Sequence, residues 1–271
     1  MTDWFLKLIR VRRRISQYKR TFKVKGGGIY FMQNDRDENG IDGRCTVLTD
    51  PQCHVSEQFR SIRTQLLFVI SNKAVKTITV TSAHRAEGKT VTSCNLAIAL
   101  AQDKTKRVML VDTDLRKSSV HHIFNMPLKP GLPEILTEGY SISNFTARPA
   151  VDNLYVIPAG THVANPAELI GSPKMKELVA VLKNDFDYVI FDASPTIPVT
   201  DATILSGITD GFILVVRAKY VIAIDLERAL YMLENSGAHP LGVIMTYTIE
   251  PLSSMLYRYK YRYYKEGDDR K

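Results

Sequence analysis

No apolar run in the sequence approaches the roughly 18 residues that cross a bilayer. The first residues lack the apolar core of a secretory leader, so a cytoplasmic chain is expected. Cysteine is scarce: Cys45, Cys53 and Cys94 make an odd set without a CxxC pair. That argues against a disulfide scaffold or a zinc ribbon and for reduced thiols. Acidic residues are nearly missing from one stretch only. Residues 1–25 hold nine lysines and arginines against Asp3, which accounts for the whole excess of +8. The rest of the chain is balanced, so the basic total does not mark a globular surface for nucleic acid, and no such partner is expected. What is present is ordinary for a globular protein. The 271 residues are 45% hydrophobic and 24% charged, enough for one large domain or two small ones.

Four regions follow from composition. Residues 1–25 are basic with apolar interruptions. Residues 26–50 open on Gly26-Gly27-Gly28 and stay polar, which reads as a linker. Residues 51–250 alternate β-rich apolar runs with amphipathic segments, and residues 251–271 are rich in tyrosine, arginine and lysine. In the third region, strands are predicted at 75–82, 107–112, 154–158, 188–192, 212–216 and 241–245, with helices at 90–102, 174–183 and 222–235. Runs apolar on both faces and separated by helices imply a three-layer α/β fold with a mainly parallel central sheet. Such sheets bind ligands at the carboxyl ends of their strands.

The first predicted strand runs into Ser82-Ala83-His84-Arg85-Ala86-Glu87-Gly88-Lys89-Thr90 and then a helix. Gly-Lys-Thr in that context is the end of a P-loop. Backbone N–H groups at a helix N-terminus attract phosphate oxygens, a lysine reaches the β and γ phosphates, and a threonine hydroxyl suits Mg²⁺. Ala83 stands where the full pattern has its first glycine, so an ordinary helix start stays open on this segment alone. The second strand emerges as Asp112-Thr113-Asp114, two carboxylates on one strand face, and YVIFD ends on Asp192. Carboxylates at two further strand ends facing a GKT loop make a Mg²⁺–nucleotide site, whereas isolated aspartates would read as helix N-caps. His121 and His122 have no cysteine or third histidine nearby and are expected on the surface.

These motifs resemble the bacterial tyrosine kinase family, the P-loop autokinases of capsule and exopolysaccharide synthesis. VMLVDTDLR resembles the family's second Walker motif, Glu57-Gln58-Phe59-Arg60-Ser61-Ile62-Arg63 its E-x-x-R-x-x-R oligomerisation segment, Asn165–Ile170 its N-P-x-E-L-I stretch, and Val199-Thr200-Asp201-Ala202 its V-x-D-A. Partition ATPases, which share the fold, carry an extra lysine at the position of His84. The resemblance implies that residues 51–250 form a kinase domain using ATP and Mg²⁺. It implies phosphate binding by the loop Ala83, His84, Arg85, Ala86, Glu87, Gly88, Lys89, Thr90 and Val91, with Lys89, Asp112 and Asp114 catalytic. Asp112 would accept or orient the phenolic proton, and Thr90, Asp112, Asp114 and Asp192 would serve the metal. It implies a homo-oligomer, a ring, through Glu57, Arg60 and Arg63. The loop has Arg85-Ala86 where the family has Pro-Gly, so Ala86 is expected to be strained if it takes positive φ.

The tail holds Tyr257, Tyr259, Tyr261, Tyr263 and Tyr264 among basic residues. It has little to bury and reads as extended and flexible. The resemblance implies autophosphorylation there. At the other end, Trp4, Leu8, Val11 and Ile15 fall at helical spacing among cations, which suits an anionic membrane surface. The family's short members work with a transmembrane adaptor of the polysaccharide co-polymerase type, so a peripheral location at the inner face of the membrane is expected. A deviant-Walker ATPase, or a degenerate nucleotide-binding regulator of a polysaccharide machine, stays open as an alternative.

Overall fold

Along β2 (Val108–Asp112), successive side chains enter two different cores. Val108 and Leu110 pack on one side of the sheet with helix residues such as Phe59, Ile62 and Leu96. Met109 and Val111 pack on the other with Leu178, Leu182 and Leu205. A strand buried on both faces belongs at the centre of a covered sheet, as the continuous apolar runs predict.

The computed structural model describes residues 40–71, 73–142 and 151–248, with Arg36 and the backbone of 147–148. The expected basic segment 1–25, most of the linker and the tail tyrosines lie outside the described residues.

After α1 (Thr46–Thr49) and α2 (His54–Ile70) come β1 (Thr77–Ser82), α3 (Lys89–Ala101), β2, α4 (Val120–Ile123) and α5 (Leu132–Glu138). A two-residue β3 (Ala147–Arg148), β4 (Val151–Ile157), α6 (Pro166–Ile170), α7 (Pro173–Asp185) and β5 (Tyr188–Asp192) follow. The described chain closes with α8 (Asp201–Ser206), β6 (Gly211–Arg217), α9 (Ala223–Asn235) and β7 (Pro240–Thr246). The sheet order is β3-β4-β2-β5-β1-β6-β7. Six strands are parallel, and the short β3 is antiparallel to β4. Every strand and helix predicted within 75–246 is present, with ends displaced by three residues at most.

Register decides where the chemistry sits. Asp112 pairs with Asp192 across β2 and β5, and Val80 of β1 also pairs with Asp192. The carboxyl ends of three neighbouring strands therefore meet, and the GKT loop leaves from the third.

The expected linker at 26–50 needs correction at its C-terminal part. Ile41, Cys45 and Val47 are buried in the core that α2 and α3 share. Asn95 of α3 fastens this stretch by donating to the Arg44 carbonyl and accepting from the Val47 N–H. A polar-looking segment packs here because its few apolar residues have a groove to fill. All three cysteines are free thiols. Among the described residues no helix is long and apolar enough to cross a membrane.

Candidate active site

α3 begins at the loop. Its N-cap, Gly88, has φ 88°, a left-handed conformation that glycine takes at no steric cost. Ala86 does take positive φ, 59°, the condition under which the sequence implies strain, and being alanine it carries about 1–2 kcal/mol. The turn is held by bonds from three other elements. The Glu87 carboxylate accepts from the backbone N–H of His84 at 2.5 Å and of Arg217 at 3.0 Å. Thr246 Oγ1 of β7 donates to the Glu87 carbonyl at 2.7 Å, and Arg217 donates to the Ala86 carbonyl at 3.2 Å. His84 Nε2 pairs with Asp225 Oδ2 of α9 at 2.8 Å. Burial raises the Glu87 carboxyl above its usual range, and those N–H donors oppose the rise.

Lys89 reaches back from α3 into a nest of carboxylates. Its Nζ lies 2.7 Å from Asp114 Oδ2 and 3.8 Å from Asp192 Oδ2. Burial alone would lower the lysine, but the charges of Asp192 and Asp114 outweigh it and hold Lys89 above its ordinary value. Asp192 accepts from Ser93 Oγ at 2.9 Å, and burial pushes its carboxyl up against the pull of Lys89. Asp112 is pushed up to about 7, first by burial and then by the charge of Asp192. Its oxygens accept from the backbone N–H groups of Asp114, Ser119 and Val120 at 3.1, 3.2 and 3.2 Å. The sequence places Asp112 and Asp114 on one face, and the structure separates their work. Asp112 shapes the loop after β2, while Asp114 faces Lys89.

The three carboxylates outnumber the one lysine. Asp192 Oδ2 is buried and has no hydrogen-bond partner among the described residues, with Lys89 Nζ 3.8 Å away. Thr90 Oγ1 stands 3.4 Å from the same Nζ. A buried excess of negative oxygen beside a hydroxyl fits a hard divalent cation. Among the described residues no three His, Cys, Asp or Glu side chains group around one point. Mg²⁺ needs only one or two protein ligands when phosphates and water complete its shell. A cleft of about 570 Å³ opens over the loop, lined on its rim by Arg44, Arg85, Lys117 and Arg217. Four cations around a helix N-terminus suit a polyphosphate. A second cavity, of about 570 Å³ too, lies at the amino ends of the strands beside Arg63, Phe68 and Tyr188, away from every one of these groups.

Of the predicted loop, Lys89 and Val91 are buried and Thr90 and Gly88 half-buried, while Arg85 and Ala86 are exposed; Ala83 is buried in a core beneath. Arg60 and Arg63, expected to meet a neighbouring subunit, have partners within the chain. Arg60 pairs with Glu57 and donates to the Pro51 carbonyl. Arg63 donates to the Ala99 carbonyl at 2.8 Å and to Gln102 at 3.2 Å, satisfying the open end of α3. His122 is exposed on the cleft wall, but His121, expected on the surface, is buried, because α4 turns that side chain inward. Several residues of the site were not singled out from the sequence. Ser93 lies one turn beyond Lys89, a spacing that would have revealed it. Arg116 makes a two-pronged pair with Asp201 at 2.7 and 3.1 Å, joining two of the motifs. Arg217 stacks over Tyr247 at 4.3 Å on the cleft rim.

A parallel sheet with a Gly-Lys-Thr loop after β1 and carboxylates at the ends of β2 and β5 defines a P-loop ATPase-type domain. The family model described as an AAA domain matches residues 75–234. The chain is 32% identical over 210 residues to the putative tyrosine-protein kinase CapB of Staphylococcus aureus, covering 77% of this chain and 92% of that protein. It is 36% identical over 199 residues to the tyrosine-protein kinase YwqD of Bacillus subtilis (strain 168), covering 73% of this chain and 84% of that one. The solved kinase domain of the Escherichia coli tyrosine kinase ETK superposes with a TM-score of 0.73 at 27% identity, covering 80% of this chain and 84% of that chain. The chain belongs to the bacterial tyrosine-protein kinase family.

Proposed function

We propose that the protein is an ATP-dependent tyrosine autokinase that phosphorylates Tyr257, Tyr259, Tyr261, Tyr263 and Tyr264 and regulates capsular or exopolysaccharide synthesis and export. The observation that carries this reading is the buried Lys89 between Asp114 and Asp192 at the head of α3, under a cation-rimmed cleft. Lys89 and the N–H groups at the start of α3 bind the phosphates of the substrate ATP. Thr90, Asp114 and Asp192 hold Mg²⁺, which neutralises charge on the phosphate oxygens. Asp112 takes the proton of the attacking tyrosine. A base near pH 7 is suited to that work, and a carboxyl pushed up to about 7 meets the requirement. The phenolic oxygen forms its bond to the γ phosphorus as the bond to the β–γ bridging oxygen breaks, and ADP leaves.

The test is incubation with MgATP followed by mass spectrometry of the tail. Phosphate on the five tyrosines is expected, and none when all five are changed to phenylalanine. ATP hydrolysis with a bare tail would make the protein a deviant-Walker ATPase instead.

Assembly belongs to the same reading: a homo-oligomer through Glu57, Arg60 and Arg63, a transmembrane adaptor, and residues 1–25 on an anionic membrane. Changing Glu57, Arg60 and Arg63 to alanine is expected to give a monomer by light scattering. The melting temperature must be read in parallel, since Arg63 also closes α3. A folded variant of unchanged mass removes the interface from the proposal.

A further inference from the structure

The loop that receives the phosphates contains no glycine before Gly88. Ala83, His84, Arg85 and Ala86 therefore have little backbone freedom of their own, and Ala86 is held at φ 59°. Such a turn keeps its shape only if its surroundings impose it. Three elements do so. β7 bonds the Glu87 carbonyl through Thr246, and β6 bonds the Glu87 carboxylate and the Ala86 carbonyl through Arg217. α9 reaches the loop at His84.

His84 is gripped on both sides. Its backbone N–H donates to Glu87 at 2.5 Å, its carbonyl accepts from Ser82 Oγ at 2.6 Å, and its ring meets Asp225 at 2.8 Å. Asp225 stands in the first turn of α9, where the helix dipole favours a carboxylate. The ring is about one-third exposed and the carboxylate less so, so neither is freely solvated. The pair joins residues 141 positions apart, which no local sequence pattern specifies.

We infer that His84 and Asp225 form a latch that positions the phosphate loop for nucleotide. Neither is a catalytic residue, because neither faces the carboxylate nest around Lys89. With the latch closed, the strained turn at Ala86 is fixed and the N–H groups after it point into the cleft before ATP arrives. With it open, ATP must pay the ordering cost on binding, which lowers affinity without altering the groups that act on the γ phosphate. This inference rests on the nucleotide-site reading above but needs no phosphorylated tail.

The experiment measures binding of a fluorescent ATP analogue with Mg²⁺ to the full chain, together with melting temperature and initial autophosphorylation rates. His84→Ala and Asp225→Ala should each weaken binding about five- to tenfold, and the double variant no more than either alone. His84→Gln, which keeps a donor, should recover most of the loss. In the rate assay KM for ATP should rise by a similar factor while kcat stays near the parent value. Glu227→Gln, on the same helix and outside the latch, should change nothing. Unchanged binding in both alanine variants overturns the latch, as does additive loss in the double variant. A fall in melting temperature at unchanged affinity overturns it as well, because it assigns the pair to the fold alone. Parent protein that binds the analogue and never labels its tail would count against the kinase chemistry and leave the latch standing.

Discussion

Lys89→Met is expected to stop tail phosphorylation and to unsettle the apo fold. Losing one preorganised cation at a charge-developing site costs about 10²–10³ in rate, and here the same cation also organises the nest. Lys89 Nζ contacts Asp114 and Asp192, both of them buried. Taking away one partner of a buried ion pair typically costs about 3–5 kcal/mol. For a domain of this size that is on the order of 10 °C in melting temperature. The cost should be smaller at mildly acid pH, where the orphaned carboxylates can protonate. Lys89→Met combined with Asp114→Asn should recover stability without recovering labelling. Tail labelling at the parent rate by the single variant would remove Lys89 from the phosphate site. A melting temperature equal to the parent's would mean that Lys89 does not offset the three aspartates.

The legible parts of this molecule are those written in short spacings. A strand such as Tyr188–Asp192 is announced by five residues, and its last one is the carboxylate. The strain at Ala86 is foreshadowed by a nine-residue loop with alanine where the family has glycine. Contacts between distant segments are the illegible parts. Nothing near Ile41, Cys45 and Val47 shows that α3 offers them a groove, because their spacing matches neither a strand nor a helix. Both Arg116 and Asp201 sit in recognisable motifs, yet only folding brings them within 2.7 Å across 85 residues. The separate duties of Asp112 and Asp114 are hidden for a related reason. Alternation places them on one face, but the chain leaves the strand after Asp112, and the turn delivers three backbone N–H groups to that carboxylate alone. The bond from Arg63 to the end of α3 is hidden in the same way, because its acceptor lies 36 residues away.

Asp112 should make the apo protein lose stability as pH rises. Its carboxyl is pushed up from 3.8 to about 7 in the fold. Between those values the native protein keeps a proton that the unfolded chain has released. Stability therefore falls across pH 4 to 7, and the contribution is flat below and above that window. That rise corresponds to on the order of 4 kcal/mol, shared with the coupled Asp192. Asp210, Asp187 and Glu134 are held below their usual range, so their stabilisation is lost only as pH drops through the acid end. The two effects occupy different windows. Melting temperature is expected to peak between pH 4 and 5 and to decline until about pH 7. Asp112→Asn removes the proton, so its stability relative to the parent should improve from pH 5 to about pH 7 and then level off. It will still be offset by a constant amount, because an amide oxygen cannot accept from all three N–H donors that Asp112 serves. Parallel curves for variant and parent would show that Asp112 is ionised throughout. MgATP should raise the parent's melting temperature more at pH 8 than at pH 5, since a protonated Asp112 leaves less negative charge beside the cation at pH 5. The site is thus least stable where it is most ready to receive positive charge.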